Sequence, residues 1–155
     1  MTGEGGEGPG RFGVLHGPNL DRLGEREPEM YGAASLEEIH DRLERRAGER
    51  GVRLLTFQSN AEGELIDWIH EHADRVEGWV VNAGALTHTS VALRDALDAS
   101  GRPFVEVHMS NVFAREPFRR RSLLADAAVG LVSGFRAESY LLGLEGLLAH
   151  LSGDA

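Results

Sequence analysis

Residues 12–18 read FGVLHGP, a short apolar run that ends in a glycine–proline pair. Such a run, bounded by turn residues, is typical of a buried strand, so residues 12–16 predict strand one. A long connection, residues 17–34, follows the strand. Ser35 then begins a helix, because Glu38 three residues later completes a capping box. The chain therefore opens with a strand, a long connection and a helix.

This alternation continues to the end of the chain. Further strands are predicted at residues 52–57, 79–82, 103–107 and 128–133, and further helices at residues 62–76, 90–99 and 137–151. Five strands alternating with helices predict a parallel sheet covered on both faces. The small form of this α/β architecture is the flavodoxin-like three-layer sandwich, with strand order 2-1-3-4-5. Its ligands bind beyond the carboxyl ends of the strands.

Length and composition restrict the class of protein. The 155 residues suit one core, so we expect a single catalytic domain at residues 11–152 after a disordered, Gly- and Glu-rich tail at residues 1–10. The absence of cysteine excludes disulfides and thiolate chemistry. No apolar run approaches the ~18 residues that a membrane span needs, and no signal peptide is evident, which predicts a cytoplasmic protein. The net charge of −9 argues against nucleic acid and membranes as partners.

The connection after strand one is longer than the ~2–6 residues that usually join a strand to a helix. Long connections at this place are often lids. It contains Arg26 and Tyr31. A nearby arginine would stabilise the phenolate form of tyrosine and so favour a role as a base. The alternative is a packed loop tyrosine beside a surface arginine.

Polar residues also follow strand three. Asn82 ends that strand, and His88 comes just before a helix capped by Thr89 or Ser90. Free backbone N–H groups at such a helix start favour anions. The alternative is a capping sequence without chemistry.

The end of strand four carries Glu106 and His108, which are two residues apart and therefore share one face. A carboxylate beside an imidazole orients it and stabilises its protonated form, as a general acid needs. The alternative is an ordinary polar pair, although an unpaired pair would be costly in a buried strand. Arg115 and Arg119 follow in a basic segment. This segment could attract a small anion or be a solvated loop.

Strands one, three and four are neighbours in the predicted order, so these polar groups should surround one crevice. Together they suit acid–base chemistry on a small carboxylate. A non-catalytic module that binds a small anion is the alternative, but binding alone needs neither a base nor an acid. No nucleotide motif occurs, and His16, His40 and His150 are scattered along the chain. We therefore expect no metal and no cofactor.

Eight segments of the chain resemble type II dehydroquinases in order and at matching spacing. The likeness covers nearly the whole chain after the tail. The segments are GPNL (residues 17–20), REPEMYG (26–32), QSN (58–60), ELIDWIH (64–70), NAG (82–84), THTSVA (87–92), EVHMSN (106–111) and REPFR (115–119).

The resemblance implies cofactor-free dehydration of 3-dehydroquinate to 3-dehydroshikimate in the shikimate pathway, by anti elimination through an enolate. It implies that Arg26 and Tyr31 form a lid pair, with Tyr31 as the base. Asn19 would hold a water that stabilises the enolate oxygen. His108, oriented by Glu106, would protonate the departing hydroxyl.

The resemblance also implies how the substrate is held and how subunits assemble. Substrate hydroxyls would be bound by Asn82, His88 and Arg119, and the carboxylate by the backbone of Met109 and Ser110. Asp95 would reach into a neighbour's site near Arg119, within a dodecamer of four trimers.

Three features depart from the family pattern. His16 stands where the family usually has asparagine, and Phe113 stands where a polar ring is common. Residues 134–140 replace a more glycine-rich turn. We expect that last stretch to lie away from the site and to affect packing or assembly rather than chemistry.

Overall fold

A computed structural model describes residues 10–25 and 27–153. Its centre is a five-stranded sheet in which every neighbouring pair is parallel. The strand order is 2-1-3-4-5, which confirms the predicted flavodoxin-like α/β topology. The strands are β1 (Gly10–His16), β2 (Val52–Gln58), β3 (Gly78–Asn82), β4 (Phe104–His108) and β5 (Gly130–Ser133).

Four long helices cover the sheet, and a one-turn helix lies in the connection after β1. The helices are α1 (Pro28–Tyr31), α2 (Leu36–Glu49), α3 (Glu62–His72), α4 (Val91–Ser100) and α5 (Glu138–Ser152). The Ser35 hydroxyl accepts from the backbone N–H of Glu38 at 3.1 Å and so caps α2, as the capping box predicted. Among the described residues, no helix is both long and apolar enough to cross a bilayer.

Alternation along the strands divides the core into two layers. Val14, Val80 and Val107 belong to the cluster that packs under α2 and α5. Leu15, Val81 and Phe104 belong to the cluster under α3 and α4. Because side chains alternate along a strand, residues at the strand ends are also sorted between the two faces. Asn82 and His16 lie on the α2/α5 face, whereas Glu106 and His108 lie on the opposite face.

The structure changes several predicted boundaries. Strand β1 begins at Gly10, which was predicted as the end of the tail, and β5 begins at Gly130, two residues after its predicted start. The connection at residues 17–34 contains a 3-10 turn at Leu20–Arg22 and α1, so it is not an irregular loop throughout. The helix predicted to Val76 ends at His72 and continues as a 3-10 turn at Ala73–Arg75. Strand four begins at Phe104, one residue after the predicted start, and the Pro103 carbonyl accepts from Trp79 N–H at 2.9 Å.

The loops after β1 and β3 touch at the carboxyl edge of the sheet. A Cβ atom at Gly17 would overlap the backbone of Ala83, and one at Gly84 would lie 3.1 Å from the Pro18 carbonyl oxygen. Gly84 also has φ +58°, a backbone conformation that other residues rarely adopt. Glycine at both positions lets the two loops meet and close one side of the crevice.

Candidate active site

A cavity opens at the carboxyl edge of the sheet, between the loops that follow β1, β3 and β4, and its empty space, counted together with the adjoining open solvent, is about 660 Å³. Eight of the predicted site residues contribute to its lining: Asn19, Tyr31, Asn82, His88, His108, Met109, Ser110 and Arg119. Further lining residues include Arg115, Val112, Leu20 and Gly84. The predicted clusters after three separate strands therefore meet in one place.

Tyr31 is the last residue of α1, whose start is favoured by Pro28 at its first position. Its side chain is buried, with 8% exposure, yet it lines the cavity. The Arg115 Nη1 atom donates to the Tyr31 hydroxyl at 2.9 Å, and the guanidinium lies 5.6 Å from the ring centroid. Arg115 therefore places a positive charge directly beside the Tyr31 hydroxyl oxygen. Arg26, the partner predicted from sequence, lies outside the described residues.

Arg115 belongs to the basic segment and the REPFR motif, which the sequence placed near the crevice, although no catalytic or binding role was predicted for it. Its Nε atom is buried and has no hydrogen-bond partner among the described residues. The described cavity lining includes Arg115 and Arg119 and no carboxylate. Glu116, which is outside the lining, has its Oε1 atom 3.0 Å from Arg119 Nε and 3.8 Å from Arg115 Nε, so one carboxylate already partly neutralises the two arginines. Two positive charges against one negative charge still favour an anionic ligand.

His108 and Glu106 form the pair that their spacing predicted. His108 Nε2 lies 2.5 Å from Glu106 Oε2, and both side chains are buried. An ionised carboxylate accepts only, so Nε2 carries the proton and Nδ1 is the ring atom left for a ligand. Proton donation to a ligand must therefore come from Nδ1 of the imidazolium.

The surroundings of Glu106 keep it ionised. Burial by itself would raise the pKa of this carboxyl, but hydrogen bonds and charge from His108, with further hydrogen bonds from Thr87 and Ser122, lower the pKa overall. Thr87 Oγ1 donates at 2.5 Å, and Ser122 Oγ lies 2.9 and 2.8 Å from the two carboxylate oxygens. The sequence did not identify Thr87 and Ser122 as contacts of Glu106, because they lie 19 and 16 residues away from it along the chain.

His88 and Asn82 offer hydrogen bonds from the β3 side of the cavity. His88 Nδ1 lies 2.8 Å from the Arg121 carbonyl, so it carries a proton and leaves Nε2 as an acceptor in the neutral ring. Asn82 Oδ1 accepts from Gly84 N–H at 3.1 Å. Asn19, at φ 70°, is held by a hydrogen bond from its backbone N–H to Asn60 Oδ1 at 2.9 Å.

Asp95 does not contribute to the lining of this cavity. It lies on α4 with an exposed side chain, as the helix pattern predicted. The structure therefore brings together nine of the predicted residues, counting Glu106 behind His108. Asp95 lies apart from them.

One expectation about residues outside the site was wrong. Residues 134–140 do not lie away from it: Tyr140 accepts a hydrogen bond from the Asn82 side chain at 2.9 Å, and Arg136 N–H donates to the Met109 carbonyl at 2.9 Å. His16 and His40, which are scattered in sequence, meet with their Nε2 atoms 2.7 Å apart. A buried histidine in a central strand was the signal that a partner was required.

The fold and the cavity define a class of protein: a flavodoxin-like domain with a candidate acid–base site for a small anion at the switch point of its sheet. A phenol beside an arginine and an imidazole backed by a carboxylate both face that site. The chain belongs to the family described as Dehydroquinase class II, whose sequence model matches residues 10–148.

Individual relatives agree with this assignment. The chain is 55% identical over 138 residues to the 3-dehydroquinate dehydratase of Prochlorococcus marinus (strain MIT 9211), covering 89% of this chain and 93% of that protein. It is 56% identical over 140 residues to the 3-dehydroquinate dehydratase of Gemmatimonas aurantiaca, and the match covers 90% of this chain and 92% of that protein. The type II dehydroquinase structure from Butyrivibrio crossotus superposes with a TM-score of 0.88 at 34% identity, and the match covers 90% of this chain and 98% of that one.

Proposed function

We propose that this protein is a 3-dehydroquinate dehydratase that forms 3-dehydroshikimate in the shikimate pathway by anti elimination through an enolate. The observation that carries the proposal is the pairing within one cavity of Tyr31, beside Arg115, with His108, backed by Glu106. These are the base and the acid that an elimination of water requires. The two lining arginines suit a substrate that carries a carboxylate.

In the first step, Tyr31 as tyrosinate takes a proton from the carbon next to the ketone. The electron pair of that C–H bond moves to the ketone oxygen and forms an enolate. Arg115, and Arg26 as the proposed lid partner, stabilise the tyrosinate. Asn19 holds a water that donates to the enolate oxygen.

In the second step, His108 donates its Nδ1 proton to the departing hydroxyl. The C–O bond breaks, the enolate collapses to the conjugated ketone, and water leaves. Glu106 stabilises the imidazolium before this transfer. The cycle ends with neutral His108 and protonated Tyr31, so solvent must return one proton to His108 and accept one from Tyr31.

The remaining residues hold the substrate. Asn82, His88 and Arg119 bind its hydroxyls, and the backbone of Met109 and Ser110 binds its carboxylate. The reaction needs no metal or cofactor, because the ketone already acidifies the neighbouring C–H bond. An imine route is closed because all 16 basic side chains are arginine and the chain contains no lysine.

We further propose a dodecamer of four trimers in the cytoplasm, in which Asp95 completes a neighbour's site near Arg119. Val91 and Asp95 are one turn apart on α4, and both are exposed. Val91 is 58% exposed, whereas Leu93, Ala96 and Leu97 of the same helix are buried. An apolar residue beside an acid on one helix face suits a subunit contact.

The decisive experiment follows ultraviolet absorbance of the conjugated product when purified protein is mixed with 3-dehydroquinate. We expect turnover that persists after exhaustive chelation and desalting. Calorimetric binding of 3-dehydroquinate without a change in absorbance would instead support the non-catalytic anion-binding module. Loss of turnover on chelation, restored by a metal ion, would contradict the cofactor-free mechanism.

A further inference from the structure

Four side chains that come from four elements form a continuous line of hydrogen bonds behind the cavity. Asn82 Nδ2 donates to the Tyr140 hydroxyl at 2.9 Å, and that hydroxyl lies 2.8 Å from His16 Nδ1. His16 Nε2 lies 2.7 Å from His40 Nε2. Asn82, Tyr140 and His16 are buried, whereas His40 is half-buried on α2. The line therefore runs from the cavity lining toward the surface.

The chemistry of these groups gives the line one direction. The Tyr140 oxygen accepts from Asn82, and the proton of this buried hydroxyl also needs a partner, so we assign that proton to the hydrogen bond with His16 Nδ1. Neutral His16 then carries its proton on Nε2 and donates it to His40 Nε2. Each group donates away from the cavity, and His40 is the final acceptor.

The electrostatics agree with neutral side chains throughout. Burial, followed by the charge of His40, lowers the pKa of His16 to about 3. Burial also lowers the pKa of His40, although Asp41 opposes the shift. Burial raises the pKa of Tyr140, so its hydroxyl keeps the proton that it donates. Two imidazolium ions 2.7 Å apart would repel each other, which further favours neutral rings.

Asn82 is the only member of the line that faces the cavity. Its Oδ1 accepts from Gly84 N–H and one of its two Nδ2 protons is given to Tyr140, so the amide is held at both ends. The second Nδ2 proton is left for a ligand. Rotation of the amide by half a turn would exchange Oδ1 and Nδ2, and the hydrogen bonds with Gly84 N–H and the Tyr140 hydroxyl would both be lost.

We propose that Tyr140, His16 and His40 are positioning residues that hold the Asn82 amide in the orientation that offers an N–H donor to a substrate hydroxyl. This inference rests on the proposed function, in which Asn82 binds substrate. The competing interpretation is a polar cluster that only stabilises the fold. The two interpretations differ in one expectation. If the residues position Asn82, their substitution changes KM only when Asn82 is present, whereas a cluster that only stabilises the fold predicts no such dependence.

Tyr140→Phe removes the central hydroxyl and keeps the ring. We expect KM for 3-dehydroquinate to rise roughly 3- to 10-fold, as the loss of one hydrogen bond predicts, with little change in kcat. In an Asn82→Ala background the same substitution should leave KM unchanged, because residues that act through one group are not additive. An equal rise in both backgrounds would overturn the proposal.

The surface end of the line can be tested without disturbing the core. His40→Gln keeps an acceptor for the His16 proton, whereas His40→Leu removes it. We expect the leucine variant to raise KM and the glutamine variant to stay near the parent value. Equal KM values for both variants would remove His40 from the line. If Tyr140→Phe does not yield folded protein, this pair decides the question.

Ser100→Ala is the matched control. It removes the 3.0 Å hydrogen bond from the buried Trp79 Nε1, at the amino end of β3, without touching the cavity. We expect it to lower stability and leave KM unchanged. Failure of the proposed function would appear separately, as absence of turnover in the parent protein. Failure of the positioning role would appear as additive KM effects in an active enzyme.

Discussion

The Tyr31 hydroxyl contacts an arginine that is 84 residues away in sequence. The sequence paired Tyr31 with Arg26, five residues before it, because spacing along the chain can identify only neighbours in the sequence. Arg115 approaches from the loop after β4 and also lies 3.3 Å from the Ser110 hydroxyl. One arginine therefore connects the proposed base to the loop that is proposed to hold the substrate carboxylate.

The two tyrosines of the chain allow the same chemical change at two positions with opposite outcomes. Tyr31→Phe should lower kcat by roughly 10²–10⁴, the usual contribution of a general base, while the fold is retained. Tyr140→Phe should instead act mainly on KM. Steady-state kinetics with circular dichroism would check both. Near-normal kcat in Tyr31→Phe would eliminate Tyr31 as the base.

His108 can be separated from a simple binding residue by comparing turnover with affinity. His108→Ala should reduce kcat much more than it weakens binding of a planar enolate mimic, because the lost proton donor acts on a hydroxyl that such a mimic lacks. Calorimetry of the mimic and the absorbance assay measure the two quantities. Comparable losses in both would assign His108 to binding instead.

At the scale of elements, β1, β3, α2 and α5 meet at the buried His16. The β1–β3 register places His16 beside Asn82, while α2 and α5 bring His40 and Tyr140 to its ring. The stretch at residues 134–140 leads into α5 and thereby delivers Tyr140 to this point. Its position explains why the expectation that it lies away from the site was wrong.

This junction predicts how stability responds to pH. Burial and His40 lower the pKa of His16 from 6.5 to about 3, so the unfolded chain binds a proton that the folded chain rejects between those values. The His16 contribution is therefore fully present above about pH 6.5 and is lost as pH falls toward 3. At pH 5 the loss should be on the order of 2 kcal/mol.

Urea unfolding at pH 7 and pH 5 measures this contribution. The parent should lose about 2 kcal/mol more between these values than His16→Gln, whose side chain does not titrate. His150→Gln, which changes an exposed imidazole near the end of α5, should behave as the parent does. Equal losses in the parent and His16→Gln would show that His16 is not the group responsible.

At the scale of the whole molecule, the question is whether one chain holds a complete site. Asp95 is exposed on α4 and does not line the cavity of its own chain. Phe113 and Phe118, in the loop after β4, are 56% and 66% exposed. We propose that these two side chains contribute to the contact with another subunit in the proposed assembly.

Mixing two inactive variants tests for a shared site. Asp95→Ala and Tyr31→Phe should each lose activity and keep their fold. After dissociation and reassociation together, about a quarter of the sites should regain activity, because each needs an intact Tyr31 and an intact neighbouring Asp95. Light scattering would establish that mixed oligomers form. Mixed oligomers without recovery would place each site within one chain.

Local patterns in the sequence determined the order of strands and helices, and with it the sheet topology. Apolar runs and capping residues act over a few neighbours, so they can be read directly. The alternation of strand and helix then restricts the sheet to few arrangements. The Glu106–His108 pair was predictable for the same reason, since residues two apart on a strand share a face.

Only the tertiary structure decided which distant side chains touch. The His16–Tyr140, Asn82–Tyr140 and Tyr31–Arg115 contacts span 124, 58 and 84 residues. These contacts exist because a parallel sheet brings the ends of β1, β3 and β4 to one edge, while α5 crosses behind them. A hydrogen bond depends on distances of tenths of an ångström, and such distances are set by the packing of whole elements rather than by any local pattern.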